Sequence, residues 1–210
     1  MKRCMLDLET LGTEPGCVVL SIGAVMFDEN AGVGEHFYVE VNQKSCLEAG
    51  LKEDPRTVEW WGRQSAEARA LLTRTAEGGT SLHEALHHFG MYLARAVALH
   101  VSNDGRARLP DTWRNVPELW GNGADFDGPI LSAAYAAAGI NRPWGHFTGR
   151  CYRTLKALYP DVPVKRTGVH HNALHDAQTQ ARHAITLLRL MRREESQPLW
   201  AKVLGLWGLR

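Results

Sequence analysis

The alternation of apolar and polar residues near the start of the chain predicts three strands. Residues 3–9 and 35–41 alternate apolar with polar side chains, and residues 17–29 form a nearly continuous apolar run. Only short polar or glycine-containing connections separate the three segments. Because connections this short join antiparallel neighbours, the pattern predicts an antiparallel meander with the first strand near its centre.

Helical signals begin after the third strand. Asp54 can cap a helix over residues 54–74 that is interrupted near Gly62. Ser81 has the spacing of a capping box with a glutamate three residues later, and a helical apolar period then continues to about Leu99.

The second half of the chain alternates between a strand and helices. Residues 100–117 are polar and aperiodic and predict a loop, and residues 118–124 predict a short strand. Helices are expected over residues 125–139, 151–159 and 172–193. The last helix has an apolar stripe made of Ala173, Ala177, Ala181, Ala184, Leu188 and Met191. This order of elements predicts a mixed α/β fold, with a central sheet flanked by helices.

Length and composition favour one globular domain. The chain has 210 residues, of which 44% are hydrophobic and 22% charged, and a chain of this size buries most of its unfolded surface. No apolar run approaches the roughly 20 residues that span a bilayer. Asp7 and Glu9 interrupt the apolar core that a signal peptide would need. We therefore expect a cytoplasmic protein without membrane association.

Net charge and cysteine spacing disfavour several kinds of binding site. The net charge of +1 indicates no broad basic surface for long nucleic acids, which leaves a short contact with a strand end. The four cysteines lie far apart, without the paired spacing of a zinc site or a disulfide framework.

Paired carboxylates are the most informative chemical feature. Asp7 and Glu9 share one face of the first strand, about 6.6 Å apart. This pattern fits either a solvated strand face or a divalent cation that neutralises the two charges. Further acids for a cation site are Asp125 or Asp127 after the fourth strand, and Asp176 in the last helix. For Asp125 we favour a helix N-cap over a metal ligand.

His171 precedes Asp176 by five residues, which would place the two side chains about 140° apart on one helix. We therefore expect His171 in the loop before the helix, where it can face a site. Surface decoration is the competing interpretation for a histidine in a histidine-rich segment.

Three short motifs together resemble those of the DEDDh exonucleases, the superfamily of ribonuclease T and proofreading subunits. They are "DLET", "GNGADFD" and "HNALHDA", in that order and approximate spacing. The segments "TVEWWGRQSAEAR", "RPW" and "CYRTL" are more narrowly similar to the ribonuclease AS and exonuclease VIII-like branch. The resemblance covers roughly residues 3–190 and implies a ribonuclease H-like fold. It implies an exonuclease domain over residues 1–195, and residues 196–210 form an apolar tail expected to pack on that domain or on a homodimer partner.

The resemblance also implies a set of metal ligands. Asp7, Glu9, Asp127 and Asp176 would hold two Mg²⁺ or Mn²⁺ ions, and neutral His171 would accept a proton from the attacking water. The implied reaction is 3′-5′ hydrolysis of single-stranded nucleic acid with release of nucleoside 5′-monophosphates. The sequence does not decide between RNA and DNA, and we favour RNA slightly.

Substrate contacts are expected beside the first and second motifs. The resemblance places the backbone and side chains of Thr10 and Leu11 against the terminal nucleotide, and Phe126 is a further expected substrate contact. Adjacent residues of a helix point about 100° apart, so only one of Trp60 and Trp61 is expected to face a base, and we favour Trp61.

Two alternatives belong to other classes. His83, Glu84 and His87 match the zinc-protease helix HExxH, although Leu93 stands where a metzincin would have its third ligand. A non-catalytic exonuclease-like subunit is the other alternative, which the complete set of acids disfavours.

Overall fold

A computed structural model describes residues 3–96 and 118–196. Its five strands form one sheet in the order β3-β2-β1-β4-β5. They are β1 (Arg3–Thr10), β2 (Val19–Asp28), β3 (Gly32–Glu40), β4 (Glu118–Gly121) and β5 (Gly149–Cys151). The first three strands are antiparallel neighbours, whereas β4 pairs parallel to β1 and β5 parallel to β4. The predicted meander, with β1 at the centre of the sheet, is confirmed.

Helices cover both faces of this sheet. They are α1 (Gln43–Glu48), α2 (Pro55–Gly62), α3 (Ala66–Glu77), α4 (Leu82–Ala96), α5 (Asp127–Ala137), α6 (Tyr152–Ala157) and α7 (Ala173–Ser196). The predicted interruption near Gly62 separates α2 from α3, and the predicted capping box begins α4. Among the helices of the described part of the chain, none is long and apolar enough to cross a membrane.

Several boundaries differ from the sequence prediction. The predicted strand over residues 118–124 ends at Gly121, and two short elements, α1 and β5, had no predicted counterpart. The predicted end of the fourth helix at Leu99, the loop 100–117 and the tail from residue 197 lie outside the described residues.

Alternation along β1 divides its side chains between two apolar layers. Leu6 and Leu8 belong to a core with α3, α4 and α5, whereas Met5 packs with Ala177 and other residues of α7. Because side chains alternate across a strand, Asp7 and Glu9 share the face of Met5, which α7 covers. The apolar pattern thus directs both acids toward the last helix.

The start of α7 approaches β2 very closely. A Cβ atom on Gly23 would lie 2.1 Å from the carbonyl carbon of Ala173, so only glycine fits there. Gly23 is also the ladder partner of Asp7. This contact therefore holds the first turn of α7, which carries Asp176, against the acidic part of β1.

Candidate active site

Three acids from distant parts of the sequence meet at the end of β1. Asp7 and Glu9 come from the strand and Asp176 from the first turn of α7, and one carboxylate oxygen of each lies within 4.8 Å of the others. Glu9 is buried, and the other two are partly buried. Carboxylate oxygens in this arrangement are the donors that hard divalent cations prefer.

The electrostatics of the cluster also fit a cation. Burial, followed by the charges of neighbouring acids, raises the pKa of Asp7 well above its ordinary value. Burial and the charges of Asp176 and Asp127 raise the pKa of Glu9 to about 8. Several carboxylates that repel one another in a poorly hydrated place favour a bound positive charge.

Asp127 lies beside this cluster, at the start of α5. Its Oδ1 accepts a hydrogen bond from the Leu8 backbone N–H (3.2 Å) and its Oδ2 from that of Asn122 (2.9 Å). Burial nevertheless raises the pKa of Asp127 to about 6. Asp127 is not one of the three acids within 4.8 Å, but its charge raises the pKa of Asp7.

Asp125 has neither of the roles considered for it. It is exposed, and the residue at the N-cap of α5 is Phe126, with no side-chain cap. The expectation that Asp125 caps this helix is therefore wrong. The adjacent acid that is buried against β1 is Asp127.

His171 lies in the turn before α7, as expected from its spacing to Asp176. Its backbone has a left-handed φ of 59°, and its N–H donates to Asp176 Oδ2 (3.2 Å). The imidazole packs edge to face against Trp60, with ring centroids 5.0 Å apart. Partial burial, followed by the charge of His170, lowers the pKa of His171, which favours the neutral ring.

Asp7, Glu9, Asp176, His171 and Trp60 line a cavity of about 630 Å³ at the carboxyl end of β1. A family model described as a 3′-5′ exoribonuclease Rv2179c-like domain matches residues 2–188. The chain belongs to this family.

Other similarities agree with this family. An exodeoxyribonuclease of Enterobacteria phage T4 is 27% identical over 134 residues, which are 60% of this chain and 52% of that protein. The chain therefore spans about half the length of this curated relative.

Solved structures share the fold of this Rv2179c-like domain. The nuclease domain of 3′hExo, a DEDDh family member bound to rAMP, matches with a TM-score of 0.55 and 13% identity, covering 89% of this chain and 90% of that one. A full-length 3′-exonuclease matches with a TM-score of 0.53 and 12% identity, covering 89% and 80%. The predicted ribonuclease H-like fold is confirmed, and the likeness to the DEDDh nuclease domain is a likeness of fold.

The two tryptophans of the Rv2179c-like domain have the opposite exposure to the one we expected. Trp61 is 1% exposed and its indole N–H donates to the Thr10 carbonyl (2.8 Å), whereas Trp60 is 42% exposed. The choice of Trp61 as the ring open to substrate is therefore wrong. Trp60 is the ring with free surface beside His171.

Of the other predicted substrate contacts, two line the cavity and one is buried in the core. Thr10 and Phe126 line the cavity, and the Thr10 hydroxyl donates to the Gly12 carbonyl (2.6 Å). Leu11 is 2% exposed and packs in the hydrophobic core. A substrate contact through the Leu11 side chain is therefore excluded, because that side chain is part of the core.

Gln180 and Arg166 are among the residues of the site that the sequence prediction did not name. Gln180 donates from Nε2 to Asp7 Oδ1 (2.7 Å), and Arg166 donates from Nη1 to Asp176 Oδ1 (2.7 Å). Gln180 follows Asp176 by four residues and so shares its helix face, a spacing that could have identified it. Arg166 precedes α7 in an irregular segment, where no periodicity marks it.

The HExxH segment has a structural role in this domain. His83, Glu84 and His87 are exposed on α4, and Glu84 accepts a hydrogen bond from the Ser81 hydroxyl (2.7 Å) in the capping box. Within residues 3–96 and 118–196, neither histidine belongs to a group of three potential metal ligands. The geometry thus gives no support to a zinc peptidase.

Proposed function

We propose that this domain is a 3′-5′ exonuclease that removes nucleotides from single-stranded nucleic acid and releases nucleoside 5′-monophosphates. The observation that carries the proposal is the convergence of Asp7, Glu9 and Asp176 in a cavity large enough for a nucleotide. The family description names an exoribonuclease domain, which favours RNA as the substrate. The T4 relative is named an exodeoxyribonuclease, so DNA is the alternative substrate.

Divalent cations, Mg²⁺ or Mn²⁺, would be held by the carboxylates. Asp7, Glu9 and Asp176 would hold one ion, and Asp127, whose charge acts on Asp7, would hold a second together with Asp7. When bound, such ions supply positive charge that activates water and stabilises the charge developing on a phosphodiester.

The remaining residues orient the substrate and move a proton. Neutral His171, whose backbone is tied to Asp176, accepts a proton from the attacking water. Trp60 presents an exposed ring at the cavity, on which a base can stack. Arg166 and Arg56 also line the cavity and provide positive charge for phosphates.

A labelled-oligonucleotide assay tests this proposal. Single-stranded RNA and DNA labelled at the 5′ end should shorten stepwise in Mg²⁺ or Mn²⁺, and EDTA should stop the reaction. Asp7→Asn should abolish shortening, and His171→Ala should lower kcat about 10²- to 10⁴-fold. The matched control is Asp125→Asn, because Asp125 is an exposed acid of the same motif region. Intact oligonucleotides with the wild-type protein, or full activity of Asp7→Asn, would refute the proposal.

Substitution of single 2′-hydroxyls separates RNA from DNA specificity. A protein discriminates the two at a given position through the 2′-OH. An RNA whose last nucleotide alone is a deoxynucleotide should be shortened more slowly than all-RNA if the cavity recognises the ribose. Equal initial rates for the two oligonucleotides would show that the enzyme does not recognise the 2′-hydroxyl of the last nucleotide and accepts both RNA and DNA ends.

A further inference from the structure

We infer that Gln180 is a positioning residue, which holds the Asp7 carboxylate in the orientation needed to bind a divalent cation. This inference rests on the proposed function, because it concerns the same acidic cluster. Gln180 is 7% exposed and lines the cavity from α7.

The hydrogen bond between Gln180 and Asp7 has the direction that an ionised Asp7 carboxylate requires. An ionised carboxylate can only accept, so the amide NH₂ must face it, as it does with 2.7 Å between Gln180 Nε2 and Asp7 Oδ1. This bond restricts rotation of the carboxylate while leaving Oδ2 free of the amide.

The other end of the amide is a second observation that points to a ligand. Gln180 Oε1 is buried and has no hydrogen-bond partner among the described residues. Most buried polar atoms in proteins are partnered, and this one belongs to a cavity-lining side chain. A water molecule in the cavity can donate to Oε1, so the amide can bridge Asp7 and that water.

The position of Gln180 on α7 connects Asp176, on the same helix, with Asp7 on β1. Gln180 lies one helical turn after Asp176, on the same face, so one helix supplies one carboxylate and orients another from β1. A partner that orients a metal ligand in this way typically contributes a 10- to 100-fold effect on metal affinity. The competing explanation is that Gln180 only fills space between α7 and the sheet.

Mn²⁺ binding to the full chain distinguishes these explanations without any nucleic acid. Free Mn²⁺ is measured by electron paramagnetic resonance in titrations of wild type, Gln180→Met and Gln178→Met. Methionine keeps the length of glutamine but removes both polar atoms. Gln178 is the matched control, because it is only partly buried and lies two residues away on a different face of the helix.

We expect Gln180→Met to bind Mn²⁺ about 10- to 100-fold more weakly, and Gln178→Met to bind within twofold of wild type. Nuclease activity of Gln180→Met should recover as Mn²⁺ is raised, because a positioning role is compensated by cation concentration. If Gln180→Met does not fold, Gln180→Leu replaces it in the same titration.

Unchanged Mn²⁺ affinity of a folded Gln180 variant would overturn the inference, even if its thermal stability fell. A different result would refute the proposed function. A wild-type protein that binds Mn²⁺ in a Gln180-dependent manner but leaves all oligonucleotides intact would refute the nuclease and support the positioning role.

Discussion

Trp60 and Trp61 show how two identical neighbours take different roles. Trp61 is buried, and its N–H satisfies the Thr10 carbonyl at the end of β1. Trp60 meets it edge to face and keeps 42% of its surface exposed beside His171. Trp61 thus stabilises the end of β1, the strand that carries Asp7 and Glu9. Trp60 is available to a substrate.

Alanine substitutions should separate these two roles. Trp61→Ala should lower the free energy of unfolding by about 3 to 5 kcal/mol, because it removes a large buried ring. Trp60→Ala should change the stability by about 1 kcal/mol or less and weaken oligonucleotide binding by about 1 to 3 kcal/mol. Chemical denaturation and fluorescence anisotropy measure the two effects. A reversed pattern would contradict these roles.

His183 is a buried histidine on α7, whose two ring nitrogens are both partnered. Nδ1 lies 2.7 Å from the Tyr152 hydroxyl and Nε2 lies 3.1 Å from the Val162 carbonyl. A carbonyl can only accept, so Nε2 carries the proton and Nδ1 accepts from Tyr152. Burial lowers the pKa of His183 below its ordinary 6.5. The folded structure therefore favours the neutral form of His183.

This arrangement predicts a loss of stability in acid. Because the folded pKa is depressed, the unfolded chain binds more protons as the pH falls below 6.5, and the contribution of neutral His183 is lost there. His183→Gln keeps a donor and an acceptor but does not titrate. The stability of wild type relative to His183→Gln should therefore decrease between pH 7 and pH 5, measured by urea unfolding. A difference independent of pH would show that His183 does not titrate on unfolding.

At the scale of elements, the strands and helices long enough to show a repeating apolar pattern can be predicted from the sequence. The alternation in β1 and the alanine stripe of α7 predicted both elements, and with them the acids that meet between these elements. The short elements α1 and β5, of six and three residues, carry too few residues to show a period. Which tryptophan of α2 is buried depends on how that helix docks, and spacing along one helix does not contain this information.

The contact between β2 and α7 is the element-scale feature on which the site depends. Gly23→Ala would force its Cβ into the backbone of Ala173 and Leu174 at 2.1 to 2.4 Å, where no side chain can rotate away. We expect a loss of about 1 to 3 kcal/mol or more in stability, together with weaker Mn²⁺ binding, because Asp176 would move with the helix. The measurements are urea unfolding and Mn²⁺ titration.

Gly62→Ala is the control for this prediction. Gly62 lies in α2, and a Cβ there meets nothing within 4 Å. Alanine should therefore leave Mn²⁺ binding unchanged and stabilise the protein by up to about 1 kcal/mol. Equal effects of the two substitutions would show that the packing of α7 on β2 is not what positions Asp176.

At the scale of the whole molecule, the acidic cluster links stability to pH and to cations. The pKa of Glu9 rises to about 8 in the folded protein from an ordinary value of 4.5. Between these values the folded state binds a proton that the unfolded chain releases. The cation-free protein should therefore lose stability as the pH rises through this window. A bound cation opposes the loss, since it favours the ionised carboxylates and binds only the folded arrangement.

Glu9→Gln removes this titration and leaves that of His183 unchanged, and it also removes a charge that raises the pKa of Asp7. In EDTA, the stability of Glu9→Gln relative to wild type should increase from pH 5 to pH 8, by at most about 1.4 kcal/mol per pH unit. Saturating Mn²⁺ should stabilise wild type by about 2.7 kcal/mol at a concentration 100 times Kd, and Glu9→Gln by less, because the variant lacks one carboxylate ligand. Glu48→Gln, an exposed acid on α1, should show neither change. If Mn²⁺ stabilised Glu9→Gln as strongly as wild type, Glu9 would not be a ligand, and the raised pKa would reflect burial and neighbouring charges alone.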